Sequence, residues 1–386
     1  MSDLPLYQTI YNDYVEAIES GRLEVGFKIP AEKTVASDYN VSRITSKRAM
    51  EMLRDDGYIE RAPGRGSFVA ERHPKHSVSA TTIGHKNGKS KAKPLIGLVI
   101  PDFSESYGME IVTGVEGKTR ELGYNLMLKR SAFNIADENT ALDDLQTAGC
   151  EGLILMPQHN DFFSDRILRM ILDQYPIVII DRDMRGIDTT FISSDNYQDA
   201  LQATSVMIEY GHEEIGFLSY PIRSATTLEE RMSGFRNAFY SHKLYWDEKY
   251  MLNTFADNSG ESDIHKRAQL DRDLIKKFIM EHPEMTALFA TEYNFAQLAL
   301  LAIEELGLQA PYDLSVVGYD GPSSSSGNAH LTRILQPQEE IGFLAVQTLI
   351  QKIHGEEHPK NVKLPSTLRM GTSLGKARTH KLSFKP

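Results

Sequence analysis

Residues 29–69, IPAEKTVASDYNVSRITSKRAMEMLRDDGYIERAPGRGSFV, decide how the first part of this chain folds. Pro30 introduces a short helix through Ala31–Asp38, because a first turn leaves its N–H groups unpaired in any case and proline has none to lose. Asn40, one of the few non-glycine residues that accept a positive φ, falls at a turn. Ser42 is an N-cap for the next helix, which runs to about Asp56 with Ala49, Met50 and Leu53 inward and Gly57 closing it. Residues 58–61 and 67–70 read as two short strands around a tight Ala-Pro-Gly-Arg-Gly tip. Upstream, Tyr7, Ile10, Tyr14 and Ile18 recur at helical spacing, and Ser20-Gly21 ends that first helix. Three helices followed by a glycine-tipped hairpin have the layout of a winged helix-turn-helix, whose second helix of the turn enters the DNA major groove.

The chemistry sits at the start of that helix. Its first turn offers unpaired backbone N–H groups and the positive end of the helix dipole to phosphate. Arg43 is placed to reach a base edge, where its fork matches guanine O6 and N7. Lys47 lies one turn on, on the same face. Ser42 and Thr45 can donate to phosphate or bases while also serving as cap residues. Gly64 and Gly66 let the backbone approach a groove, and Arg65 between them is placed to enter the minor groove. A hairpin turn alone accounts for the glycines but not for that arginine, whereas cations on a helix are often only a solvated face.

These residues resemble the GntR family of bacterial repressors over about residues 4–70. The resemblance is carried by Pro30-Ala31-Glu32, Val41-Ser42-Arg43, Thr45, Lys47-Arg48-Ala49 and Gly64-Arg65-Gly66-Ser67-Phe68-Val69. The chain departs at Ser46, where the family usually has Val, and at Lys47-Arg48, where Arg-Lys is usual. The resemblance implies DNA contacts by Lys33, Arg43, Lys47 and the tip of the wing.

The whole chain has 386 residues, too many for one ordinary core. No apolar run approaches the roughly 18 residues of a membrane span. The N-terminus carries acids and lacks the apolar stretch of a signal peptide. The single cysteine, Cys150, excludes an intramolecular disulfide framework. A cytoplasmic protein is expected. Net charge is −11, but it is unevenly spread: residues 1–75 hold 11 Lys/Arg and 12 Asp/Glu, whereas residues 94–386 hold 27 and 41. The acidity therefore belongs to the larger part, and the local cationic face decides phosphate binding. We read residues 1–72 as the DNA-binding domain. Residues 73–94, HPKHSVSATTIGHKNGKSKAKP, are too poor in apolar side chains to fold alone and form a flexible linker.

From Leu95 the pattern changes to short apolar runs, LIGLVI, GLILM, PIVIID, IGFLSY, TALFA and LSVVGY. Helical stretches at 108–122, 197–210, 229–242, 294–306 and 338–353 separate them. Alternating strands and helices imply an α/β fold with a mostly parallel sheet covered on both faces, and there is room for two such lobes in residues 95–386. Ligands bind such sheets beyond the C-terminal strand ends. The polar residues there are Asp102, Asp181-Arg182, Thr291-Glu292-Tyr293 and Asp320, with Arg231 opening a helix. Carboxylates accept hydroxyl hydrogens, Arg donates to hydroxyl or ring oxygens, and Tyr107 could cover a sugar's C–H face. Taken singly, an Asp after a strand is commonly a turn or helix cap.

Together these stretches resemble the LacI/GalR-family sensor, related in fold to periplasmic sugar-binding proteins. IGLVIPDFSESYGMEIVTGVEGKTRELGYN, IDR at 180–182, SSDNYQDA, GHEEIGFL, ERMSGFRNA, TALFATEYNFAQLALLAIEELGL, LSVVGYDG and LTRILQPQEEIGFLAV carry the likeness. It implies two Rossmann-like lobes joined by three crossovers, the first at about 95–196 plus 336–363 and the second at about 197–335 plus the tail. It also implies ligand contacts by Asp181, Arg231 and Asp320. Glu292-Tyr293 stands where the family often has Asn-Asp, and Glu105-Ser106-Tyr107 where it has Asn-Pro-Phe. A GntR-type reader on a LacI-type sensor is the arrangement of the arabinose repressors of Gram-positive bacteria, which this chain resembles. That implies a homodimer on a palindromic operator, released by a small sugar, L-arabinose. A purine or another non-sugar effector is the alternative. An enzyme is a further one, but no G-x-G-x-x-G, no Walker motif and no His/Cys cluster for zinc is present, so neither cofactor nor metal is expected. His212 has the chemistry of a general base, yet its place just before a strand reads as structural.

Overall fold

The computed structural model describes residues 6–39, 41, 43–55, 58–62, 66–70, 93–158, 164–184, 186–222, 225–255, 264–322 and 330–384. Asn40, Ser42, Gly57, Gly64 and Arg65 lie outside the described residues, as does the expected linker apart from Lys93 and Pro94. The chain divides into two compact units, Met1–Ser90 and Lys91–Pro386.

The first unit is built from α1 (Leu6–Glu19), β1 (Lys28–Ile29), α2 (Glu32–Asp38), α3 (Arg43–Asp55), β2 (Ile59–Ala62) and β3 (Gly66–Val69). After α1, Gly21 takes a φ of +75°, the left-handed conformation that makes glycine a cheap helix stop. Ile10 of α1, Val35 of α2 and Ala49 and Leu53 of α3 are buried together with Ile29, Ile59 and Val69 of the strands. The hairpin expected at the C-terminal end is present, but the sheet has a third strand and the order β1-β3-β2. In β1, Lys28 pairs with Phe68 and Ile29 with Ser67, antiparallel.

The second unit continues with β4 (Leu95–Ile100), α4 (Met109–Glu121), β5 (Asn125–Arg130), α5 (Ile135–Thr147), β6 (Leu153–Leu155), α6 (Asp165–Leu172), β7 (Ile177–Ile180) and β8 (Thr190–Ser194). Then come α7 (Asn196–Glu209), β9 (Ile215–Leu218), α8 (Thr226–Ser241), β10 (Met251–Leu252), α9 (Ile264–Glu281), β11 (Ala287–Ala290), α10 (Tyr293–Glu305) and β12 (Ser315–Tyr319). It closes with β13 (Thr332–Leu335), α11 (Gln338–Ile353), β14 (Asn361–Leu364) and β15 (Thr367–Arg369).

These strands form two six-stranded sheets, β14-β8-β7-β6-β4-β5 and β10-β9-β11-β12-β13-β15. All pairings are parallel except β13 with β15. The alternation along β4 sets the core of the first lobe. Ile96, Leu98 and Ile100 face α4 and α11, and Val99 faces Leu142 and Leu145 of α5. A chain buried on both faces reads as one apolar run, which is why LIGLVI was legible. The chain passes between lobes three times: from β8 into α7, from β13 into α11 and from β14 into β15.

Helices α4 and α11 meet backbone to backbone. A Cβ on Gly114 would lie 2.1 Å from the Glu339 carbonyl oxygen, and one on Gly342 would lie 2.3 Å from that of Ile111. Neither glycine tolerates a side chain without separating the helices. Gly114→Ala is therefore expected to cost about 1–3 kcal/mol through overpacking. It would appear as a lower urea midpoint at unchanged slope; an unchanged midpoint would show that the two helices do not meet there.

Candidate functional site

Both lobes place an aspartate by the same device. Asp181 follows β7 and Asp320 follows β12, with φ of +66° and +53°. Aspartate tolerates this left-handed geometry better than most residues, and such strain tends to gather at functional sites. The N–H of each donates to a carbonyl of the neighbouring strand, Asp181 to Ile192 at 3.0 Å and Asp320 to Ile334 at 2.7 Å. Each chain thereby turns at the C-terminal edge of its sheet, where the ligand rule for parallel sheets puts the site.

Asp320 is 5% exposed and Asp181 8%. Asp320 accepts the Gln336 N–H at 3.3 Å, the Gln336 side-chain amide at 2.6 Å and the Gln338 amide at 3.3 Å. Gln338 in turn accepts the Gly108 N–H at 2.8 Å, and Ser194 is bonded to Gln336 at 2.5 Å. The second crossover thus ties Asp320 to the first lobe. Burial nonetheless pushes its carboxyl up to about 6, against Arg231 and the amide donors. In the first lobe the Tyr107 hydroxyl donates to Asp181. Burial holds the Tyr107 hydroxyl well above its ordinary pKa, and Asp181 adds to this.

Arg231 lies 6% exposed in the second turn of α8, not at its opening as the sequence suggested, because α8 begins at Thr226. Its Nε donates to Asn196 Oδ1 at 2.8 Å and its Nη1 to the Thr291 carbonyl at 2.5 Å. The guanidinium carbon stands 3.8 Å above the centre of the Tyr319 ring, within cation–π range. Arg231 couples electrostatically to Asp320, Asp181 and Glu292, so the four predicted groups converge. Glu292, half-buried at the N-cap of α10, is held above the ordinary carboxylate range by burial. Two bonds from backbone N–H groups, one to a carbonyl and one to a side-chain hydroxyl, join the lobes beside the cleft. Gly321 N–H donates to Ser106 O at 3.1 Å, and Asp183 N–H to Thr226 Oγ1 at 3.2 Å.

Other polar residues after strands have plainer roles. Asp102 is exposed, caps the turn by accepting the Phe103 N–H and pairs with Arg130 at 3.1 Å. His212 is buried, with Nδ1 2.9 Å from Thr286 Oγ1 and Nε2 3.0 Å from the Gly375 carbonyl. Burial lowers it to about 4, so it is a neutral structural imidazole. Gln336, Gln338 and Asn196 escaped the sequence reading. Gln336 follows β13 and would have met the strand-end rule had TRIL been recognised as a strand.

In the first unit, Arg43 opens α3, but its side chain, like Ser42, Gly64 and Arg65, lies outside the described residues. Lys33 and Lys47 are exposed, Thr45 is half-buried and Gly66 begins β3 with a φ of +115°. Lys28 was missed. Its Cε lies 3.1 Å from where a Gly66 Cβ would stand, which puts a further cation beside the wing. Among the described residues no helix is long and apolar enough to cross a membrane, and no cluster of His, Cys, Asp and Glu could hold a metal.

Residues 6–69 match the bacterial regulatory proteins of the gntR family, and residues 204–374 match the periplasmic binding protein-like domain. The arabinose metabolism transcriptional repressor of Geobacillus stearothermophilus is 27% identical over 355 residues, 91% of this chain and 92% of that protein. The HTH-type transcriptional regulator GntR of Escherichia coli K12 is 26% identical over 358 residues, 90% of this chain and 99% of that protein. The crystal structure of the transcription regulator CcpA of Lactococcus lactis shares the fold at a TM-score of 0.63 and 19% identity, over 73% of this chain and 99% of that one. These are regulators, not enzymes. With a gntR-family DNA-binding region and a periplasmic binding protein-like sensor in one chain, the protein is a transcriptional repressor of the GntR/LacI type.

Proposed function

We propose that the protein represses carbohydrate-utilisation genes in the cytoplasm as a homodimer on a palindromic operator, and that L-arabinose releases it. The observation that carries this reading is the extent of the match to an arabinose repressor. It runs through reader and sensor alike, over 91% of this chain and 92% of the relative. The cleft chemistry supports a polyhydroxyl ligand. Asp181, Asp320 and Glu292 offer acceptors for hydroxyls, and Arg231 retains N–H groups beyond the two it uses. A flat purine would call for apolar walls around few polar groups, which this acceptor-rich site does not favour.

On the DNA side, we assign base and phosphate contacts to Arg43, Lys33, Ser42, Thr45 and Lys47, and wing contacts to Gly64, Arg65 and Gly66; Lys28, whose side chain lies beside Gly66, adds a cation there. Two copies related by a twofold axis read two half-sites. An effector gripped by both lobes favours one arrangement of the lobes, and only that difference in affinity shifts the equilibrium between them.

Calorimetry and DNA binding on the full chain test the reading. L-arabinose is expected to bind, and at saturation to weaken binding to a selected operator duplex by about tenfold or more, roughly 1.4 kcal/mol. By linkage, operator weakens arabinose binding by the same factor. Tight binding of a purine with no response to any sugar would replace the sugar by the alternative; arabinose binding without change at the operator would remove induction. Arg43→Ala is expected to cost about 1–3 kcal/mol per half-site and to abolish discrimination between operator and random DNA, leaving arabinose binding unchanged. Retained discrimination would mean that another segment reads the bases. Arg231→Lys cannot reach Asn196 and Thr291 together, so arabinose affinity is expected to fall by about tenfold or more, with operator affinity intact. Wild-type sugar affinity in that variant would misplace the pocket.

A further inference from the structure

The turn that follows β12 carries two features of the sensor. Asp320 opens it, with its carboxyl bonded to Gln336 and Gln338. The next N–H, that of Gly321, crosses to the Ser106 carbonyl of the first lobe at 3.1 Å. Arg333 on the neighbouring strand β13 holds this turn. Its Nη1 donates to the Asp320 carbonyl at 3.0 Å and its Nη2 to the Pro322 carbonyl at 3.2 Å. Those carbonyls flank Gly321, so one guanidinium spans the turn. The fit leaves no room for a side chain at Gly321, whose Cβ would stand 2.3 Å from Arg333 Nη1 and 2.5 Å from the Tyr293 ring.

An arginine is a costly way to fill this position. It is 2% exposed, and among the described residues no acid forms an ion pair with it and its Nε has no hydrogen-bond partner. In the antiparallel pair of β13 and β15 it stands directly opposite Arg369, and like charges so placed are unfavourable. Burying a charge without an opposite one costs free energy, and apolar side chains of similar volume often replace buried ionic groups without loss of stability. The core therefore does not call for a guanidinium here. The turn does, because a planar fork can reach two carbonyls at once, which neither an ammonium nor an apolar side chain reproduces.

We propose that Arg333 is the positioning residue of the effector site: by holding the Asp320 and Pro322 carbonyls it fixes the Asp320 carboxyl and keeps the Gly321 N–H within reach of the first lobe. Arg333 acts through the turn and does not itself touch the effector. Its link to the effector rests on the reading that Asp320 belongs to the ligand cleft.

Two measurements on the full-length protein test this: hydrogen exchange at the Gly321 amide without effector, and calorimetry with L-arabinose, D-ribose, D-galactose and the purine hypoxanthine. Arg333→Met fills similar space with no donor, Arg333→Lys keeps a donor without the fork, and Ile279→Val truncates the buried core of the same lobe in α9. Gly321 is expected to exchange about tenfold or more faster in Arg333→Met, with Arg333→Lys between it and wild type, and at the wild-type rate in Ile279→Val, because this opening is local. Affinity for the effector should fall in the same order, by about tenfold in Arg333→Met. Wild-type exchange of Gly321 in Arg333→Met overturns the proposal. Equal acceleration in Ile279→Val assigns the effect to general stability and overturns it too. Faster exchange with undiminished affinity overturns the role in the effector site. If another of these molecules binds and arabinose does not, the arabinose reading falls while Arg333 is judged by the molecule that binds. If none binds wild type, the effector reading falls, and the Gly321 exchange still supports or overturns the hold of Arg333 on the turn.

Discussion

Arg231 carries a permanent positive charge into a site shielded from water, and the sensor is arranged around keeping that charge paired. A guanidinium cannot shed its proton, so each of its N–H groups left without a partner there costs free energy. The pairing depends on helix packing one turn along α8 from the charge. Helices α7 and α8 approach so closely that a Cβ on Gly234 would stand 2.1 Å from the Tyr197 carbonyl. That approach brings Asn196, at the start of α7, against Arg231 in α8. The start of α7 is also where the first crossover enters the second lobe. The residue that holds the arginine therefore belongs to the hinge, and a change in lobe arrangement is felt at the charge.

How much of this was legible in the sequence follows from which groups find partners locally. LIGLVI, ALFA and LSVVGY declared themselves because parallel strands buried on both faces have no reason to carry polar residues. β5, NLMLKR, is an edge strand with only partly buried side chains, and it lacks that signature. β13, TRIL, hides a buried Arg333 whose partners are the carbonyls of Asp320 at 3.0 Å and Pro322 at 3.2 Å. Nothing in the local sequence shows that such partners exist, so the strand went unread, and Gln336 after it went unread for the same reason. β1 has two residues, too few for any period to appear. Asp181 and Asp320, by contrast, follow strands that were recognised, and the strand-end rule reached both.

The departure at Glu292-Tyr293 has a structural explanation for its second residue. Gly321 has a φ of +113°, and a Cβ there would stand 2.5 Å from the Tyr293 ring. The ring covers the turn that follows Asp320. At this position an aromatic side chain packs over the loop whose N–H reaches across to Ser106. The sequence could show that an acid was missing from the expected pair. It could not show that the tyrosine steadies the loop presenting another acid, because that contact joins residues 28 positions apart.

Charge gives the two-lobed arrangement its direction. Asp181 belongs to the first lobe, and Glu292 and Asp320 belong to the second. Bringing the lobes together takes these carboxylates out of water, and the raised Asp320 and Glu292 carboxyls record that desolvation. Arg231 offsets part of it. In the proposed function the remainder falls to the ligand, since a hydroxyl placed between carboxylates donates to them and replaces part of the lost hydration. A ligand with several hydroxyls gains most of its differential affinity in the closed arrangement, the only kind of affinity that can move the equilibrium.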